Sequence, residues 1–187
     1  MKPFVSDIEK IRERARAQMA EGAVTSGYKA DRQQVIKVLN EVLATEIVCA
    51  LRYKRHYFTV DGLYSDSIRD EFLEHAKEEE EHADMVAARI VQLNGEPDFE
   101  PKSLATRSHS QYAEGEDAVS MIEEDLVAER IAIETYMEIV RWLGDDDPTT
   151  RRVMEQILEK EEEHAEDLVT LLSKLPTAQK VPRAKSA

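Results

Sequence analysis

A chain of 187 residues can bury one good core but is too short for two comfortable domains, so a single domain is expected. Six glycines, six prolines and a 6% aromatic share, against abundant Glu, Ala, Leu, Ile, Val, Lys and Arg, favour an all-α fold over a turn-rich sheet protein. One cysteine, Cys49, excludes an intramolecular disulfide. The lack of a long apolar run predicts neither signal peptide nor membrane span, which makes the cytoplasm the expected compartment. The net charge of −14 is uneven: residues 33–173 carry −20, residues 1–32 carry +2 and residues 174–187 carry +4. Such an acidic body attracts cations and repels phosphate backbones, so contact with nucleic acid would fall to the basic ends.

Ser6-Asp7-Ile8-Glu9 has the form of a capping box, and Gly22 is expected to close the short amphipathic helix that follows. Residues 1–30 then form an extension ahead of a bundle spanning residues 31–175. Asp31 caps a long helix A that runs to about Val60 and stops at Gly62, and Ser65 caps a helix B that ends before Gly95. The short turn between them makes A and B antiparallel. Residues 95–116, with two prolines and no sustained stripe, read as a long crossover, which lets B and C run parallel. Helix C covers about Asp117 to Leu143. Helix D begins with Asp147 as cap and Pro148 at its first position and ends near Leu175, leaving residues 176–187 as a basic tail. Helices of this length are roughly 40 Å long at 1.5 Å per residue, the proportions of a four-helix bundle.

Each helix carries an apolar stripe, and each stripe is interrupted near its centre. Helix A reads Val35, Leu39, Val42, Glu46, Cys49, Tyr53, Tyr57. Helix B reads Ile68, Phe72, His75, Glu79, His82, Val86, Ile90, Leu93. Helix C reads Val119, Ile122, Leu126, Glu129, Ile133, Tyr136, Val140, Leu143, and helix D reads Val153, Ile157, Glu161, His164, Leu168, Leu171. The two halves repeat: Tyr53 and Tyr136 each follow their helix's glutamate by seven residues, and EEEHA at 79–83 recurs at 161–165.

Four carboxylates gathered in a core would repel one another and lose several kcal/mol of hydration per ion unless protonated or neutralised. Two divalent cations, roughly 3.5–4 Å apart, would balance them. Glu46, Glu79, His82, Glu129, Glu161 and His164 are therefore the candidate metal ligands. Hard oxygens with one imidazole per metal favour two iron ions per subunit, with manganese or zinc as alternatives. His75 shares the stripe but is matched by Ile157 in the other half, so it reads as a core or supporting histidine. Cys49 reads as a small buried residue, and Asp125 as either a guide for cations or a surface carboxylate.

This constellation is the ligand pattern of ferritin-like di-metal bundles, and residues 31–175 resemble bacterioferritin and Dps-like ferroxidases with a bacterioferritin-type site. The resemblance implies that Glu79 and Glu161 bridge the metals, that Glu46 and Glu129 are terminal, and that Tyr53 and Tyr136 stand beside the site. It also implies that Asn94-Gly95-Glu96-Pro97 ends helix B. Haem is not expected, because Glu80 stands where the family's haem-ligating methionine would be. A missing fifth helix and an added N-terminal one resemble the Dps-like proteins, whose shells hold twelve subunits rather than twenty-four. The disulfide of some of that group cannot form with Cys49 alone.

The implied activity is oxidation of Fe(II) by hydrogen peroxide or dioxygen, with ferric mineral stored in a hollow homo-oligomer that guards against oxidative stress. Two other expectations stand beside it. One is a di-manganese catalase or di-iron peroxidase that stores nothing. The other is a Dps-like nucleoid protein that binds DNA through Lys174, Lys180, Arg183 and Lys185 of the basic tail.

Overall fold

The structure is a computed structural model, and it describes residues 7–62 and 65–175. Its elements are α1 (Ile8–Ala17), α2 (Arg32–Thr59), α3 (Ser65–Gln92), α4 (Leu104–Arg107), α5 (Ala118–Leu143) and α6 (Pro148–Lys174), with a short 3₁₀ turn at Met19–Glu21. Helices A to D of the sequence correspond to α2, α3, α5 and α6, and the fold is the expected all-α four-helix bundle.

The helix ends are set by local hydrogen bonding. The Asp31 side chain accepts from the amides of Gln33 and Gln34, Asp117 and Ser120 form a reciprocal capping box, and Asp147 accepts from Thr150 ahead of Pro148. Helix α3 closes through Asn94, at φ 58°, with the Gly95 amide donating back to the Ile90 carbonyl over 2.9 Å. Gly95 also lies against α2: a Cβ there would sit 2.9 Å from Ile36.

At the N-terminus Ser6 lies outside the described residues, and Asp7 is the cap. The α-helix stops at Ala17 rather than continuing to Gly22, which closes the 3₁₀ turn instead. α1 buries no residue, so packing does not sustain a longer helix. The expected capping role of Ser65 and the basic tail also fall outside what is described.

Cross-helix contacts fix the directions. Tyr53 donates to Glu129 and Tyr136 to Glu46, which makes α2 and α5 antiparallel. His82 meets Glu46 while His75 meets Tyr53, so α2 and α3 are antiparallel, and α3 and α5 therefore run parallel. The connection between them lies along α2. Arg107 donates to the Asn40 carbonyl, the His109 amide to Thr45, and Arg52 to the Gln111 carbonyl.

Among the described residues two large apolar clusters fill the bundle, and a small third one, Ala44, Val48 and Leu104, joins α2 to α4. Of the large pair, one includes Val35, Leu39, Val86, Ile90, Ile139, Met154 and Ile157, and the other Val60, Ile68, Phe72, Ile122, Leu168 and Leu171. On α5 the stripe differs in detail from the expected one: Ala132 and Ile139 are buried, whereas Ile133 and Val140 are half-buried. On α2 it is His56, not Tyr57, that is buried.

At one end, Asp147 ties three segments together. It accepts from Arg89 at 2.9 Å, Tyr28 at 2.9 Å and Thr150 at 2.5 Å. Burial opposes its charge, but hydrogen bonds from Thr150 and Tyr28 and the Arg89 guanidinium outweigh that and hold its carboxyl below the usual range. Asp147→Ala should therefore cost about 3–5 kcal/mol, or about 10 °C in Tm, because it strands a buried guanidinium. The depressed folded pKa means this stability is fully present above the unfolded value of about 3.9 and is lost as pH falls through the folded one. Thermal unfolding of both proteins from pH 7 to pH 3 should show the gap closing in acid; an equal gap throughout would contradict this role.

Candidate metal centre

Between the two apolar clusters lies a polar layer. Glu46, Glu79, Glu129, Glu161 and His164 are at most 1% exposed and His82 is 4% exposed, so all six candidate ligands are out of water. They fall into two overlapping groups: Glu46, Glu79, His82 and Glu161 in one, and Glu79, Glu129, Glu161 and His164 in the other. Within each group one ligating atom per residue lies within 4.8 Å of all the others. Glu79 and Glu161 belong to both groups, while Glu46 and Glu129 belong to one each.

The histidines aim Nδ1 inward. His82 Nδ1 is 3.1 Å from Glu161, 3.3 Å from Glu46 and 3.7 Å from Glu79. His164 Nδ1 is 3.5 Å from Glu79 and 3.6 Å from Glu161. His164 Nε2 donates to Glu78 over 2.7 Å, so Nδ1, once its proton is displaced, is the nitrogen that would offer a lone pair to an ion among the carboxylates. Glu78 is in turn 3.7 Å from Lys160.

The tyrosines cross the bundle. Tyr53 of α2 donates to Glu129 of α5, and Tyr136 of α5 donates to Glu46 of α2, so each orients the carboxylate on the facing helix. His75 approaches the Tyr53 oxygen at 3.3 Å and stacks on His164 with ring centroids 4.0 Å apart.

Glu79 Oε1, Glu129 Oε2, both Glu161 oxygens and His164 Nδ1 have no hydrogen-bond partner although they are fully buried. Buried polar atoms are nearly always paired, and here the unpaired ones are all electron-pair donors pointing at common space. Hard oxygens plus imidazole nitrogen are the donor set of a divalent first-row metal, so the residues present fit a metal pair.

Without cations, protons must offset the charge. Burial, reinforced by the charges of Glu161 and Glu79, pushes Glu46 and Glu129 well above the ordinary carboxylate range. Glu79 moves the other way: burial opposes its ionisation, but the neighbouring His164 and His82 imidazoles and the Glu46 carboxyl outweigh it. Both candidate histidines rise, because although burial disfavours their charge, Glu161 and the other carboxylates outweigh it; His164 reaches about 12. Cations entering this layer must displace those protons, so their affinity weakens in acid.

Asp125 is neither a guide for cations nor a surface group. It is fully buried, accepting from Arg52 at 2.7 Å and facing His56 Nδ1 at 2.8 Å. His56 Nε2 meets the Glu114 carbonyl at 3.0 Å, so this network fastens the crossover to α2 and α5. Cys49 is buried, with Sγ 3.3 Å from Ser110 Oγ. Glu80, the haem-methionine position, is half exposed and pairs with Lys54. Periodicity alone does not single out Arg52, His56 or Glu78. The placement of Arg52 and His56 four apart on α2, with Asp125 one turn before Glu129, was the available signal.

A family model described as a ferritin-like domain matches residues 36–178. The chain belongs to the ferritin-like family. It is 32% identical over 147 residues to a nutrient stress-induced DNA-binding protein of Synechococcus, a match covering 75% of this chain and 81% of that one. It is 28% identical over 141 residues to a bacterioferritin of Desulfovibrio desulfuricans, covering 74% and 75%. Among solved structures it resembles a dodecameric, bacterioferritin-related thioferritin from Bacteroides fragilis, with a TM-score of 0.75 and 30% identity over 88% of this chain and 93% of that one. This ferritin-like chain thus stands with the bacterioferritin and Dps relatives. Among the described residues, no helix is long and apolar enough to cross a membrane.

Proposed function

We propose that the protein is a ferroxidase that binds Fe(II) as a pair among Glu46, Glu79, His82, Glu129, Glu161 and His164 and passes the ferric product to storage. The unpaired, buried donor atoms of Glu79, Glu129, Glu161 and His164 carry this reading. With Glu79 and Glu161 common to both groups, two Fe(II) ions would share two carboxylates, and each would keep one further glutamate and one histidine. Two Fe(II) each give up one electron to one hydrogen peroxide, whose O–O bond breaks to yield two waters with two protons taken up. With dioxygen the same pair supplies two electrons, two protons are taken up and hydrogen peroxide is released. The protein's part is to hold both ions, keep the layer dry and fix the orientation of Glu129, Glu46 and His164 through Tyr53, Tyr136 and Glu78.

The acidic body favours cation uptake. By likeness to the dodecameric thioferritin, a homo-oligomeric shell of twelve subunits is the proposed assembly, and oxidative-stress protection in the cytoplasm is its proposed role. The test is to add Fe(II) and peroxide to metal-free protein and then separate by size. Iron co-eluting with the oligomer in excess of the ligand sites is expected. Sustained oxygen release with no retained iron would instead favour the catalase reading, and peroxide consumed with a reductant but without oxygen release or retained iron the peroxidase reading.

The name of the Synechococcus relative and the basic residues 174–187 favour a second role in binding DNA. DNA retention that falls steeply with salt and is lost without residues 176–187 is the expected result. Retention indifferent to both would remove that role.

A further inference from the structure

Beyond the pair, the two-fold repeat fails on one side. The Glu-x-x-His segments of α3 and α6 correspond at an interval of 82 residues, which matches Glu71 with Val153, His75 with Ile157 and Asp167 with Met85. Val153, Ile157 and Met85 belong to the apolar cluster at one end of the site. Their counterparts at the other end are three ligand-type side chains.

His75 Nε2 is 3.5 Å from Glu71 and 3.9 Å from Asp167, and one ligating atom from each of the three lies within 4.8 Å of the others. Two donors each about 2.1 Å from a shared tetrahedral ion are about 3.4 Å apart, and farther as the angle opens. The hydrogen-bond chain sets the histidine's tautomer. Tyr53 donates its proton to Glu129, so its oxygen must accept from His75 Nδ1–H. In the neutral ring the Nε2 lone pair then faces two carboxylates, an arrangement that repels unless a cation lies between them. His75 is only 2% exposed, whereas Glu71 and Asp167 reach solvent.

We infer that Glu71, His75 and Asp167 form a third site for a divalent cation, at the solvent-facing end of the pair and without a counterpart at the other end. A cation held there stands between solvent and the buried layer, next to His164 through the His75 stack and to Glu129 through Tyr53. It fits a waiting position for an ion moving inward. The inference deepens the ferroxidase reading, but its ligands are separate from the six that hold the pair.

Zinc, which has the same ligand taste and no redox chemistry, provides the test. Crystals of the full chain equilibrated with Zn(II) should give an anomalous peak among Glu71, His75 and Asp167 as well as two among the six ligands. Asp167→Asn and Glu71→Gln, both at solvent-reaching positions, should lose the third peak and keep the pair, with equilibrium dialysis falling by about one Zn(II) per subunit. Wild-type crystals with the pair filled and nothing at His75 would overturn the third site and leave the pair intact. A peak at His75 without the pair would uphold the third site and count against the ferroxidase reading. A third peak that survives both substitutions together would overturn the ligand assignment.

Discussion

Glu79→Ala and Glu161→Ala should each slow rapid Fe(II) oxidation by at least about 100-fold, a barrier increase of about 2.7 kcal/mol. The reason is geometric. Glu79 reaches His82 at 3.7 Å through one oxygen and His164 at 3.5 Å through the other, and Glu161 reaches them at 3.1 and 3.6 Å. Each therefore belongs to both ligand groups, and its removal takes a donor from both cations at once. Loss of a group that only orients a ligand typically costs about 10–100-fold, so loss of a shared ligand should cost no less. Glu46 and Glu129 belong to one group each, and Glu46→Ala or Glu129→Ala should weaken one cation more than the other. The check is the initial rate of ferric absorbance after mixing metal-free protein with Fe(II) and oxidant, on variants whose circular dichroism matches the parent. Parental rates in both the Glu79 and Glu161 variants would exclude the assigned roles.

Metal binding should also raise stability strongly, and a single charge removal should reverse its effect between the two states. A cation present at about 1,000 times its Kd adds about 4 kcal/mol per site, worth about 8–16 °C in a chain of this size. Glu129→Gln keeps the acceptor that Tyr53 uses and is neutral without a bound proton, in a layer where burial and the charges of Glu161 and Glu79 already oppose ionisation. Metal-free Glu129→Gln should therefore melt at or above the parent temperature, while the metal-loaded variant melts below it. Scanning calorimetry with Zn(II) or with chelator reads both. A variant destabilised equally in both states would show that Glu129 supports the fold and not a cation.

The helices and the polar layer are legible because both rest on local pattern. Asp31, Asp117 and Asp147 stand where caps belong, and Glu46, Glu79, Glu129 and Glu161 interrupt apolar stripes in phase, so folding the stripes inward brings the carboxylates to one depth. The repeat of Tyr53 and Tyr136 places both tyrosines near that depth, although sequence does not show that each serves the glutamate across the bundle.

What escaped depends on the crossover. Asp125 looks solvent-facing or channel-lining until Arg52 and His56 close over it, and they can do so because the Gln111 and Glu114 carbonyls give their remaining N–H groups partners. No periodicity encodes where the connection of residues 93–117 will lie. The half-buried state of Ile133 beside buried Ala132 has a related origin, since consecutive helical residues point about 100° apart and can flank the same seam, so the packed partner decides which is covered. His75 stood out as the residue without a twin, but its neighbours Glu71 and Asp167 belong to different helices and meet only in the fold.

Paired cations are proposed to occupy the space among the four buried carboxylates. Anomalous diffraction at the iron and manganese edges, from crystals of protein purified without added metal and then loaded anaerobically with Fe(II), tests it most directly. Two iron peaks, each within about 2.0–2.3 Å of one histidine Nδ1 and of both Glu79 and Glu161, are the predicted result. The same six side chains well ordered around no anomalous peak, joined only by protons or water at saturating Fe(II), would contradict it.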